Sequence, residues 1–138
     1  NARMLKVKRL MLMPLRIKAF KGSKFVRRFI LSLGDPICCP AVSFDLERLE
    51  RPVFRDGFRS CGDWEAWEII SGMDGDFLYV PEPLMYHRIH EESATTIIIQ
   101  DKARTEENYI MYCKFWPKTI AKRINKLYAK SEEFNSLS

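Results

Sequence analysis

From Met4 to Phe20 the apolar positions form two interleaved sets, Leu5, Leu12 and Leu15 in one and Val7, Leu10 and Met11 in the other, with cations between them. That spacing predicts a helix broken or bent near Pro14, because proline removes a backbone donor and crowds the preceding turn. A second basic stretch, from Ser23 to about Leu33, reads as a helix stopped by Gly34 with Pro36 beyond it. Both stretches are amphipathic but greasy. Each is expected to pack on something, either further protein or a membrane interface.

Downstream the period changes. Pro36 to Phe44 (PICCPAVSF) reads as a short strand or extended segment, and Asp56-Gly57 supplies a turn. From Gly62 to about Ser71 the spacing of Trp64, Trp67 and Ile70 predicts a helix with one buried apolar face. Asp76 to Pro81 reads as a strand, and Pro83 to His90 as a second extended run. Alternation there puts Tyr86, Arg88 and His90 on one side and Met85, His87 and Ile89 on the other. A helix from about Ile97 to Phe115 follows, and Pro117 opens a last helix whose stripe is Ile120, Ile124, Leu127 and Tyr128. The fold class expected is α+β, helices with a few short strands.

Length and composition narrow this. The chain has 138 residues, 46% of them hydrophobic and 12% aromatic, which suits one globular domain. No run approaches the roughly 20 apolar residues of a membrane span, and no secretory cleavage site follows the basic start. A cytosolic protein is expected, with peripheral contact at the inner face of the membrane as an added option. Cys38, Cys39, Cys61 and Cys113 form no C-x-x-C pair and read as free, mostly buried thiols. Asn1 and Ala2 resemble a tag remnant, residues 3–34 a basic amphipathic segment, 35–131 the main domain and 132–138 a frayed tail.

The net charge of +5 is unevenly spread. Arg3, Lys6, Lys8, Arg9, Arg16, Lys18, Lys21, Lys24, Arg27 and Arg28 all precede Asp35, the first acid. Such a leader suits an anionic partner, whether membrane, nucleic acid or phosphorylated substrate, or is simply a solvated basic face. No aromatic and basic platform favours nucleic acid. A non-enzymatic basic module that docks on an anionic membrane is thus one reading of the chain.

Among residues that could carry chemistry, Asp63 stands first. Ser60 and Asp63 fit a capping box, in which the acid bonds back to the cap. The same carboxylate, fixed at the positive end of a helix dipole, suits a general base taking a hydroxyl proton. Glu65 lies about 200° further round the helix and is not expected to pair with it. Arg88 and His90 are either plain strand residues or a cation and an imidazole facing a phosphate or a metal. His87 and His90 face opposite ways, which argues against a two-histidine zinc site. Asp74-Gly75-Asp76 is literally an Asp-x-Asp, yet reads as a turn. No Gly-rich phosphate loop, nucleophile elbow or zinc signature is present.

Taken in order, residues 30–40 (ILSLGDPICCP), 63–67 (DWEAW), 76–93 (DFLYVPEPLMYHRIHEES) and 114–118 (KFWPK) resemble the C-terminal part of bacterial family 2 glycosyltransferases. The resemblance covers roughly residues 29 to 131. It implies an inverting enzyme of the GT-A type that acts on a nucleotide-diphosphosugar donor and a glycan or lipid-linked acceptor, in cell-surface polysaccharide synthesis. It implies Asp63 as the base, Arg88 and His90 near the donor diphosphate, and His90 near a divalent metal, Mn²⁺ or Mg²⁺. Trp64 and Trp67 either line the acceptor pocket or sit in the core. Gly62 stands where many relatives carry Glu before the base. The resemblance places the nucleotide-binding half outside this sequence, so the fragment alone is expected to be inactive, and to form a homodimer where that half belongs.

Overall fold

Pro14 divides the first helical region as its chemistry requires. Helix α1 (Ala2–Leu12) gives way to a single tight turn at Met13–Arg16, with Pro14 near its start, and to another at Lys18–Phe20. The computed structural model describes residues 2–49, 52–86 and 102–136. Helix α2 (Lys24–Ser32) is capped by Ser23, whose Oγ accepts from the Val26 N–H at 3.3 Å. It stops at Gly34, where φ is 137° and an added Cβ would lie 3.6 Å from the Tyr112 hydroxyl.

Helix α3 (Gly62–Ser71) supplies the centre of the core. Helix α4 (Lys102–Cys113) and helix α5 (Lys118–Ser136) pack together beside it, with the Pro117 carbonyl accepting from Ile120 and Ala121 at 2.9 Å each. Leu31 of α2, Trp64, Ala66 and Trp67 of α3, Met111 and Tyr112 of α4 and Ala121 of α5 form one buried cluster with Val53 and Cys61. Trp64 meets Tyr112 edge-on at 5.0 Å, and Trp67 stacks on Phe44 at 5.7 Å. Cutting either tryptophan back to alanine would cost about 3–5 kcal/mol.

Two indoles also finish α2. Trp64 Nε1 donates to the Leu31 carbonyl at 3.1 Å, and Trp116 Nε1 to the Ser32 carbonyl at 2.9 Å. These carbonyls belong to the last turn, where the indole of Trp64 adds to the Gly34 N–H on Leu31 at 3.3 Å. Arg27, 2% exposed, reaches the other way and donates to the Met73 and Gly75 carbonyls at 2.9 and 2.7 Å. The exit of α3 is thereby tied to α2.

The expected strands do not form among the described residues. Residues 36–44 hold a tight turn at Cys39–Ala41 between extended pieces, and residues 76–81 run extended without a ladder. Phe77 N donates to the Lys21 carbonyl at 3.1 Å, a single bond where a strand needs a row. Pro36, Pro40, Pro81 and Pro83 remove donors along both segments. The described residues are thus helical rather than mixed. The stripe of α5 also shifts: Ala121 is fully buried, while Ile120 and Leu127 stand exposed. Helix α5 continues to Ser136, into the tail expected to fray. No described helix is long and apolar enough to cross a membrane.

Candidate functional site

Asp63 occupies the first turn of α3 and is half-buried. Its Oδ1 accepts from the Trp64 N–H at 2.8 Å, and its other oxygen makes no hydrogen bond among the described residues. The carboxylate is held by the backbone it sits on, with one oxygen left to receive a proton. Trp64 and Trp67, directly behind it, are 3% and 2% exposed and anchor the helix start in the core.

The expected capping box is absent. Cys61, not Ser60, takes the cap position and offers no side-chain bond to the helix. Ser60 Oγ instead donates to Glu107 Oε2 at 2.6 Å. The same carboxylate accepts from the N–H groups of Arg59 (2.8 Å), Ser60 (2.8 Å) and Cys61 (3.1 Å). The hydroxyl thus serves as a donor to a charged carboxylate, a strong hydrogen bond, and Ser60 lies one position before the cap. Burial alone would raise the Glu107 carboxyl, but the Ser60 hydroxyl and the three amides outweigh it and hold the group below its ordinary 4.5.

A second carboxyl adjoins the site. Asp35, just past the end of α2, closes a local turn by accepting from Ile37 N at 3.0 Å. Burial first, and then the charge of Asp63, push its carboxyl up to about 7, against the opposing pull of Lys8 and Arg104. Burial, Asp63 and Asp35 also raise the Cys39 thiol. Asp35, Cys39 and Asp63 therefore share one electrostatic neighbourhood. Neither Asp35 nor Glu107 emerged as a site residue from the sequence. Asp35 marked only the end of the basic leader, and the amide partners of Glu107 lie 46 to 48 positions away.

The tryptophans differ. Trp64 is packed against Tyr112 and Phe115 and is a core residue rather than a platform. Trp67 borders a cavity of about 650 Å³ that Phe44, Phe77, Tyr79, Asp45 and Arg27 also line. Asp63 does not line that cavity. Glu65 turns to Lys114 at 2.6 Å, and Arg28 to Glu68 at 2.7 Å, which leaves both glutamates engaged in ion pairs. Asp74 and Asp76 flank Gly75, whose φ is 121°, in the turn held by Arg27; Asp74 pairs with Lys24 at 2.7 Å.

Arg88 and His90, together with His87, lie outside the described residues. No cluster among the described residues has the ligands to hold a metal ion. The thiols are free, but only Cys61 is fully buried, and Cys38 is exposed. Cys61 donates to Asn108 Oδ1 at 3.2 Å, and burial drives its thiol up to about 12, so it is inert packing. No family model, curated protein or solved structure matches the chain.

Proposed function

We propose that the chain is the acceptor-side, C-terminal portion of an inverting glycosyltransferase of the GT-A type, with Asp63 as its general base. The observation that carries this reading is Asp63 itself. It stands at a helix start, one carboxylate oxygen is tied to the backbone and the other makes no hydrogen bond among the described residues, within the DWEAW segment that resembles family 2 enzymes. Asp35, whose carboxyl burial and the Asp63 charge push up to about 7, carries only part of a second charge beside it near neutral pH.

In the proposed reaction the acceptor hydroxyl gives its proton to Asp63 as its oxygen forms a bond to the anomeric carbon. The bond from that carbon to the diphosphate breaks on the opposite face, and the nucleoside diphosphate leaves with the bonding pair. One such displacement inverts the centre. By the same resemblance Arg88 and His90 face the departing diphosphate. A divalent metal would ease its charge, but the described residues include no set that fits one.

The test is sugar transfer by a longer parent chain that carries a nucleotide-binding half, comparing the native sequence with Asp63→Asn across several nucleotide-sugars in Mn²⁺. The native chain should turn over, and a folded Asp63→Asn chain should lose about 10²- to 10⁴-fold in kcat. Equal turnover would leave Asp63 a structural residue and place the base elsewhere. No transfer with any donor would remove the enzyme reading.

A further inference from the structure

Helix α2 has two unlike faces. Arg27, Ile30 and Leu31 are buried, whereas Phe25, Phe29 and the adjoining Leu33, four positions apart in turn, are 79%, 51% and 46% exposed. The Phe25 and Phe29 rings stack at 6.4 Å with their planes 14° apart, so they form one apolar ridge and not two scattered side chains. Leu5, Leu10, Met13 and Ile17 upstream are exposed as well. Lys6, Arg9, Arg16 and Lys18 stand exposed among them, with no acid before Asp35.

We propose that this acid-free stretch, residues 5–33, docks on an anionic phospholipid surface, the Phe25, Phe29 and Leu33 ridge entering the acyl boundary and the cations meeting the headgroups. Three physical arguments select this occupant. A protein interface large enough to cover the ridge and its surroundings would carry cations towards its buried core, where charged residues are depleted. A second copy would bring two acid-free faces together, and like charges across an interface cost several kcal/mol in general. A headgroup layer accepts both features at once, since long cationic side chains lift their charges to phosphate while apolar neighbours sink below. Lys24 and Arg28, paired with Asp74 and Glu68, hold α2 to the body of the protein and leave the outer ridge in place. The inference goes beyond the transfer reading and does not rest on it.

The experiment is co-sedimentation of the chain with phosphatidylcholine vesicles and with vesicles containing phosphatidylglycerol, at about 50 mM and about 500 mM salt. Expected are binding to the anionic vesicles alone, weakening with salt, and a loss of about tenfold or more in the Phe25→Ser/Phe29→Ser double variant. Arg16→Gln/Lys18→Gln should lose about fivefold per charge removed, and it decides the matter if the phenylalanine variant does not fold. Asp63→Asn should bind like the native chain, which separates failure here from failure of the transfer reading. Equal binding to both vesicles, no binding, or binding indifferent to the phenylalanine and cation variants overturns the proposal. So does a dimer broken by Phe25→Ser without vesicle binding, or tighter binding to a DNA duplex that the phenylalanine variant leaves intact.

Discussion

Helices α2 and α3 begin in opposite ways. At α2 the cap is local: Ser23 reaches Val26, three positions on, and the bond forms whatever the rest of the chain does. At α3 the cap position holds Cys61, whose side chain makes no capping bond, and the amides of residues 59–61 converge on Glu107 of a different helix. A local cap sets where a helix begins along the sequence. A distant one sets where it begins in space, and it is at the spatially anchored start that Asp63 stands.

Three substitutions sharpen or break this contrast. Glu107→Gln should have the largest effect, a loss of about 3 kcal/mol near neutral pH, because an amide cannot satisfy four donors as a charged carboxylate does. The Glu107 carboxyl is depressed in the fold, so its contribution is present above 4.5 and lost as pH falls through the folded value. The stability gap between native and variant, read by urea unfolding, should therefore close in acid. A gap no larger than that of Ser23→Ala would break the comparison.

Asp35→Asn comes next and has the opposite sign. A carboxyl raised from 3.8 to about 7 stabilises the fold while protonated, an advantage present below 3.8 and lost as pH climbs towards 7. Asparagine avoids that loss, so the variant should gain on the native chain across this window, reaching about 2 kcal/mol once solvent screening is allowed for. A flat difference with pH would show that Asp35 is not held away from water. Ser23→Ala should cost least, about 1 kcal/mol, and in a two-dimensional NMR spectrum it should leave the amides of residues 59–64 unmoved.

The same contrast explains what the sequence could disclose. The limits of α2 and α3, the break at Pro14 and the burial of Trp64 and Trp67 follow from neighbours a few positions away, and each was legible. The capping box was a legible pattern that the fold does not use, since no local rule reveals that Glu107 will be brought to Ser60. The strands failed for a related reason: alternation in residues 76–81 describes what a strand would look like, but a ladder needs a partner segment. Asp35 read as the end of a charge pattern, because its burial is created by parts of the chain far from it. The place of Asp63 in the first turn of α3 was legible, though not the way that helix start is held.

The end of α2 carries a consequence for the order of assembly. Its last carbonyls are closed by Trp64 and Trp116, which lie 33 and 84 positions further along the chain. During synthesis the helix can coil early and Gly34 N–H can reach the Leu31 carbonyl, but the Ser32 carbonyl lacks its indole partner until residue 116 has emerged and returned. Spanning the longer separation rather than the shorter adds only about 1 kcal/mol of chain entropy, so the delay is one of time more than of energy. A helix that begins at Lys24 is thus completed by Trp116.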